Sequence, residues 1–188
     1  EGDGTEILAK KYPRNEFVGI DFADSAIRAA QSKYNLSNLT FLTDDYTKKN
    51  GHAQYDIVLT SNVLEHFKEP WVIQEGIRKF ASKYFIMMVP FQEDPENLIP
   101  EHFHSFDTDD FKIVDDSWRL VHASVANTAT TANSYWGGKQ ILAIYAQEEF
   151  APNNLESITL EKNDPMDVVR EYREKLDLSR KKIDELNE

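Results

Sequence analysis

The sequence contains no cysteine among its 188 residues, and its 21 lysine and arginine residues are outnumbered by 33 acidic residues. The lack of cysteine excludes disulfide bonds, thiolate catalysis and cysteine-ligated zinc. The formal net charge of −12 disfavours a nucleic-acid partner, because an acidic surface repels the phosphate backbone. No stretch approaches the ~20 apolar residues of a membrane span, and no segment resembles a signal peptide. We therefore expect a cytoplasmic protein with no membrane insertion and no nucleic-acid partner.

Strands and helices alternate through the first two-thirds of the chain. The hydrophobic pattern predicts helices and strands in turn, with helices over 5–12, 24–34 and 70–82 and strands over 17–21, 39–43, 55–60 and 84–90. The strand over 55–60 is almost continuously apolar, as in a parallel sheet that is covered on both faces. This order predicts an α/β fold with a Rossmann-like, doubly wound and mostly parallel sheet.

The last third of the chain has a different pattern. Two more strands are expected over 118–125 and 140–146, and the absence of a convincing helix between them indicates an antiparallel edge. We assign 1–150 to one domain, 151–163 to a linker and 164–188 to a charged helix with apolar residues at heptad spacing. Two interpretations of that helix stay open. It packs on its own domain, or it forms a coiled-coil stub that leads to a homodimer or a further domain.

The first 21 residues have the order of a nucleotide-binding unit. A glycine turn precedes a helix, and a hydrophobic strand then ends at Asp21, 19 residues after Gly2. Glycine lets a ligand approach the backbone, and the N–H groups at a helix N-terminus favour a negatively charged group. An acid at the strand end accepts hydrogen bonds from ribose hydroxyls. By itself this pattern fits NAD, flavin or S-adenosylmethionine.

Four blocks narrow that choice. They are Glu1-Gly2, Val18-Gly19-Ile20-Asp21, Thr43-Asp44-Asp45 and the run Y-D-I-V-L-T-S-N-V-L-E-H-F over 55–67. With these blocks, residues 1–146 resemble the class I S-adenosylmethionine-dependent methyltransferases, most closely the small-molecule type 11 and type 12 domains. The run over 55–67 is the most specific of the four, because core packing alone does not require it.

The resemblance implies S-adenosyl-L-methionine as the cofactor and a set of binding residues: Gly2, Asp21, Phe22, Asp44, Asp45, Ser61 and Asn62. In such enzymes the acid matched by Asp21 holds the ribose, and the acid matched by Asp44 accepts from the adenine amino group. Phe22 and Asp45 would border the adenine, and Ser61 and Asn62 would lie near the sulfonium. The first glycines of the family motif and the strand before them would lie upstream of Glu1. We expect a chain without them to bind the cofactor poorly.

Histidines are the candidates for a catalytic base, because an imidazole titrates near neutral pH. His66 follows the fourth block, and His104 lies in the long loop over 91–110, where the family builds its acceptor pocket. A structural role is the alternative for His66. Glu101, His102 and His104 offer metal-ligating side chains, but the same composition occurs on solvated loops, so we assign no metal site.

The sequence thus predicts an enzyme that transfers a methyl group to a small-molecule or glycan-like acceptor, at oxygen. One alternative is a degenerate methyltransferase fold that acts as a scaffold or dimerisation module. Another is an NAD(P)-dependent oxidoreductase, for which Tyr135 and Lys139 supply a Tyr-x-x-x-Lys pair. Gly137 and Gly138 lie within that pair and disfavour the helix that would align it.

Overall fold

We describe the protein from a computed structural model that defines residues 1–45, 54–112, 114–128 and 138–152. The chain divides into two compact units, Glu1–Gly51 and His52–Glu188. The predicted linker, apart from its first two residues, and the predicted C-terminal helix lie outside the described residues. Within the described part of the chain, no helix is long and apolar enough to span a membrane.

The first unit consists of two helix–strand pairs. Helix α1 (Asp3–Lys11) leads to β1 (Phe17–Asp21), and α2 (Asp24–Lys33) leads to β2 (Leu39–Thr43). The two strands pair in parallel, from Phe17 opposite Leu39 to Asp21 opposite Thr43. Both strands have the predicted bounds. Helix α2 begins at position 24, as the hydrophobic pattern predicts, and its N-cap is Ala23.

A small apolar core holds the first unit together. Ile27 and Ala30 of α2 pack against Phe41 of β2, and all three side chains are buried. Gly19 of β1 leaves the space that the Phe41 ring fills, since a Cβ at that position would lie 2.6 Å from Phe41 Cδ1. Asp3 joins α1 to α2 by accepting hydrogen bonds from Lys33 and Tyr34. The bond from Lys33 contributes most to a pKa of Asp3 that lies well below its usual range.

The second unit is built on a five-stranded sheet. Its strands are β3 (Tyr55–Ser61), β4 (Ala81–Phe91), β5 (Val114–Asp115), β6 (Trp118–Asn127) and β7 (Lys139–Gln147). They lie in the order β3-β4-β7-β6-β5, with β3 and β4 parallel and the remaining neighbours antiparallel. The α/β class is confirmed. The antiparallel part comprises three strands, β5, β6 and β7. The sequence had indicated an antiparallel edge made by two strands only.

Helix α3 (Pro70–Arg78) is shorter than the predicted 70–82, and β4 starts at Ala81 rather than at 84. The reason is a backbone contact that local sequence does not show. The Phe80 carbonyl accepts hydrogen bonds from the N–H groups of Gln54 and Tyr55, at 2.9 and 3.0 Å. Ala81 then pairs with Tyr55 and is buried. Strand pairing therefore overrides the helical pattern at this point.

The core of the second unit lies on the sheet, where apolar side chains of three strands are almost fully buried: Phe85, Met87, Val89, Leu120, Ala123, Ile141 and Ala143. The loop after β4 joins this core through Phe106, which is fully buried and bridges to Phe91. A short 3-10 helix (Leu64–His66) follows β3 and precedes α3. These two segments position the histidines described below.

Candidate functional site

The carboxyl ends of β1 and β2 bring two predicted site residues together. The Asp44 N–H donates to the Asp21 carbonyl at 3.0 Å, directly after the paired strand ends. The Asp21 carboxylate is exposed, and its Oδ1 accepts the Ala23 N–H at 2.8 Å. This bond fixes the carboxylate at the strand end and leaves Oδ2 to accept from a ligand hydroxyl. The Asp44 side chain accepts the Asp45 N–H at 2.8 Å, which fixes the turn after β2.

Phe22 is 74% exposed immediately after Asp21. An exposed phenylalanine beside a carboxylate leaves an apolar face next to a hydrogen-bond acceptor. That pair of properties suits an adenosine, whose base is flat and whose ribose carries hydroxyls.

Gly2 is the N-cap of α1 and has a left-handed conformation, with φ of +78°. A Cβ at this position would lie 2.8 Å from the Ala30 Cβ, so glycine is required by both backbone and packing. A pocket opens here, between the start of α1 and the end of β1. The pocket is lined by residues of α1, β1, α2 and β2 and by the two residues that precede α1. They are Glu1, Gly2, Thr5, Gly19, Ile20, Asp21, Ala26, Ile27, Ala30 and Phe41. Sequence reasoning found Gly2 and Asp21 but missed the apolar residues from α2 and β2.

Ser61 and Asn62 lie at the end of β3, in the second unit, and both are exposed. Asn62 has a positive φ of 52°, which an asparagine tolerates better than most residues. Its N–H donates to the Met88 carbonyl, and its Oδ1 accepts from Gln140 Nε2 at 3.1 Å. The Asn62 side chain therefore links the end of β3 to β7 by a hydrogen bond.

His66 ends the 3-10 helix and remains partly accessible, with 43% of its side chain exposed. Its Nδ1 lies 2.9 Å from the Glu101 carbonyl oxygen. A carbonyl can only accept, so Nδ1 carries the proton and Nε2 presents its lone pair. This is the tautomer that a proton-accepting histidine requires.

His104 occupies a different environment. Its ring packs edge-on against Trp71 and Phe106, with centroid distances of 5.9 and 4.7 Å. Its Nε2 is buried, forms no hydrogen bond and lies 3.5 Å from an Asp110 carboxylate oxygen. The two predicted base candidates are therefore unequal in access, and His66 is the more exposed.

His102 does not gather with Glu101 and His104, as the spacing of those residues suggested. Instead its ring lies 5.2 Å from that of His66, and its Nδ1 lies 2.9 Å from both Glu93 carboxylate oxygens. Glu65 completes this group and is 1% exposed. Sequence reasoning missed Glu65 and Glu93. Glu65 stands inside the most specific block, but nothing local shows that the loop returns to it.

Two further sequence features take structural roles. Lys139 begins β7, and its Nζ donates to Gln92 Oε1 at 2.9 Å. A lysine on a strand is not aligned on a helical face, as a Tyr-x-x-x-Lys pair requires, while Tyr135 lies outside the described residues. His122 on β6 lies 3.1 Å from the Ser124 hydroxyl.

Comparison with known proteins agrees with this geometry. The sequence model of a family described as "Methyltransferase domain" matches residues 1–83. A malonyl-[acyl-carrier protein] O-methyltransferase of Bacillus cereus is 33% identical over 61 residues, which cover 32% of this chain. That alignment spans 23% of the length of the relative.

Solved structures share the fold. Magnesium protoporphyrin IX methyltransferase of Synechocystis PCC 6803, with bound SAH, superposes with a TM-score of 0.58 at 16% identity. The match covers 76% of this chain and 68% of that one. The N-methyltransferase NodS of Bradyrhizobium japonicum WM9 gives 0.56 at 16% identity, over 78% of this chain and 80% of its own. Residues 1–83 thus match a methyltransferase domain family, in agreement with the sequence blocks, and the fold is shared with solved methyltransferase structures.

Proposed function

We propose that this protein binds S-adenosyl-L-methionine and transfers its methyl group to an oxygen of a small-molecule or glycan-like acceptor. The observation that carries the proposal is the meeting of Asp21 and Asp44 at the ends of two parallel strands, beside the left-handed Gly2. Ligands of open α/β sheets bind at the carboxyl ends of the strands. These residues also fall within the segment that matches the methyltransferase domain family.

The residues of the first unit fit the adenosine half of this cofactor. Asp21 Oδ2 would accept from a ribose hydroxyl, while the Ala23 N–H holds Oδ1. The exposed Phe22 ring and the turn at Asp44 and Asp45 would border the adenine. Gly2, where a side chain would collide with Ala30, keeps the pocket open at the start of α1.

The second unit holds the histidines that we propose as candidate bases for the transfer. When bound, the cofactor would supply a methyl group on a sulfonium sulfur; an acceptor lone pair would bond to the methyl carbon in line as the carbon–sulfur bond breaks, with S-adenosylhomocysteine as the leaving group. A hydroxyl acceptor must lose its proton, and we propose His66 Nε2 as the base that takes it, because the Glu101 carbonyl holds the proton on Nδ1. His104 is the second candidate for this role, but its buried Nε2 makes it the weaker one. Transfer to oxygen is supported by the name of the Bacillus cereus relative.

The cofactor proposal is tested by calorimetric titration of the protein, extended by the strand and glycines expected upstream of Glu1, with S-adenosylhomocysteine and, separately, with NADH. We expect binding of the first compound and none of the second. Asp21→Asn removes a charge that the ribose hydroxyls contact, so its affinity should fall at least tenfold, the equivalent of about 1.4 kcal/mol. Asp24→Asn is the matched control, because Asp24 lies three positions away, outside the pocket lining.

Two outcomes would contradict the proposal. Binding of NADH alone would favour an oxidoreductase, and equal S-adenosylhomocysteine affinity in Asp21→Asn and the parent would remove Asp21 from the site. Localisation in the cytoplasm and a homodimer or further domain through residues 164–188 stay predictions.

A further inference from the structure

A second group of ionisable side chains lies in the second unit, on the 3-10 helix and in the loop after β4. Glu65, His66 and His102 each offer a ligand atom, and these atoms lie within 4.8 Å of one another. We propose that these three side chains bind one divalent transition-metal ion, such as Zn²⁺, with Glu93 orienting His102. This site goes beyond the proposed methyl transfer, and it contradicts the sequence-based expectation that the protein has no metal site.

Glu65 is the first reason for the proposal. Its carboxylate is 1% exposed, and its Oε2 has no hydrogen-bond partner. Burial raises the pKa of the Glu65 carboxyl, and the nearby Glu93 adds to that effect. A buried oxygen without a partner is costly and needs an explanation. A cation bound between Glu65 and the two histidines would give this oxygen a partner and would balance the negative charges of Glu65 and Glu93.

The second reason is the way in which the two imidazoles are held. His102 Nδ1 lies 2.9 Å from the Glu93 carboxylate, and His66 Nδ1 lies 2.9 Å from the Glu101 carbonyl. Metal-binding histidines are typically held in this way, with one ring nitrogen donating to a carboxylate or a backbone carbonyl. The other nitrogen, Nε2, is then the one that is left with a lone pair for a metal.

Backbone contacts bring the two ligand segments together before any metal binds. The Phe103 N–H donates to the Glu65 carbonyl at 2.8 Å, and the Glu101 carbonyl accepts from His66. The loop residues on either side of His102 are therefore fastened to the 3-10 helix. Ligand atoms around tetrahedral zinc are roughly 3.3 Å apart, given metal–ligand bonds near 2.0–2.1 Å. His66 Nε2 and Glu65 Oε1 are 3.9 Å apart, so a small side-chain shift completes the site.

The donor set indicates which ion is preferred. Two imidazole nitrogens and one carboxylate suit Zn²⁺, Fe²⁺ or Co²⁺, whereas Mg²⁺ prefers oxygen ligands and keeps several waters. Three protein ligands leave a position open for water or an acceptor oxygen. The partly exposed His66 edge provides the access route.

A bound metal would change the role of His66. Its Nε2 lone pair cannot bind a metal and accept a proton at the same time. In the metal-bound protein, the open coordination position would instead be available to a water or hydroxyl oxygen, which the metal would make more acidic.

The test is titration of the tag-free, chelator-treated chain with Co²⁺, followed by visible absorption, and then with Zn²⁺ as competitor. We expect one equivalent of Co²⁺ to bind, Zn²⁺ to displace it, and excess Mg²⁺ to leave it in place. Glu65→Gln and His102→Ala should each weaken binding at least tenfold. Glu93→Gln keeps all three ligands and should weaken binding by about 10–100-fold, as the loss of an orienting partner does.

His122→Ala is the matched control, because His122 is a histidine of the same unit outside the group. Its metal affinity should equal that of the parent. Equal affinity in His102→Ala, or no stoichiometric binding by the parent, would overturn the proposal and leave Glu65, His66, Glu93 and His102 as an ion-pair cluster. Circular dichroism without metal identifies any variant that fails to fold. Glutamine is chosen at position 65 because it preserves the volume of the side chain and so favours a folded variant. The metal titration uses no cofactor. A negative result would therefore contradict the metal site without bearing on S-adenosylhomocysteine binding.

Discussion

At the scale of single residues, identical residue types have different roles because their neighbours differ. Gly4 and Gly19 show this in the first unit. A Cβ at Gly4 would meet nothing within 4 Å, whereas one at Gly19 would lie 2.6 Å from the Phe41 ring. Residue type alone does not distinguish the two glycines, but only Gly19 has a neighbour that would clash with a side chain.

Gly19→Ala should consequently destabilise the protein. The added methyl group has to displace a buried aromatic ring, and overpacking of this kind costs about 1–3 kcal/mol. Gly4→Ala is the control, since alanine near the start of a helix should be neutral or stabilising by up to about 1 kcal/mol. Urea unfolding of both variants measures the difference in free energy of unfolding. Equal stabilities for the two would mean that the Phe41 ring does not fill this space.

The histidines make the same point. His66 and His104 are both near the predicted acceptor side in sequence, but the His66 side chain is 43% exposed and the His104 side chain 27%, because His104 packs between Trp71 and Phe106. His102 was the less favoured of the three in sequence. Yet His102 has the shortest distance from a ring nitrogen to a carboxylate oxygen, 2.9 Å from Nδ1 to Glu93. Glu93 lies nine positions earlier in the same loop.

At the scale of elements, the loop after β4 is the segment that sequence patterns describe least well. It contains few regular hydrogen bonds, so it has no period for a pattern to detect. It is nevertheless fixed at several points: Phe106 is fully buried, and the Gln92 N–H donates to the Phe106 carbonyl at 2.8 Å. The loop therefore behaves as part of the core and carries His102 at a defined place.

Phe106→Ala should test this description of the loop. Truncating a fully buried phenylalanine costs about 3–5 kcal/mol, because it removes apolar burial and leaves a cavity. Phe103→Ala is the matched control from the same loop, since Phe103 is 54% exposed and its loss should cost less than about 1 kcal/mol. Thermal unfolding monitored by circular dichroism compares the two. Similar melting temperatures for both variants would contradict the anchoring role of Phe106.

At the scale of the whole molecule, charge is the property with the clearest consequence. The chain has 33 acidic residues against 21 basic ones. Such a surface repels nucleic acid, and binding through phosphates needs lysine and arginine contacts that release counterions. The acceptor is therefore expected among small molecules rather than nucleic acids.

We predict that labelled single-stranded RNA and duplex DNA show no change in fluorescence anisotropy with this protein at an ionic strength of about 0.15 M. A basic protein of similar size serves as the positive control for the labelled strands. Saturable binding that weakens as salt is added would contradict the prediction, because that dependence is the signature of phosphate contacts.

Local sequence determined the order of the elements and the bounds of two strands. Strands β1 and β2 were predicted with their observed bounds, because period-two hydrophobicity and flanking turn residues are local properties. Asp21 and Asp44 were predicted together for a related reason. Asp21 ends one parallel strand and Asp44 follows the other, and parallel strands end at the same edge of a sheet.

Only the tertiary structure decided the features that depend on distant segments. The end of α3 was set by hydrogen bonds from Gln54 and Tyr55 to Phe80, which no local pattern reveals. The group of Glu65, His66 and His102 formed because a loop some 35 residues later returns to the 3-10 helix, as the His66–Glu101 bond shows. Composition and periodicity describe each segment by itself. Contacts between segments depend on packing and strand pairing, which appear only when the chain has folded.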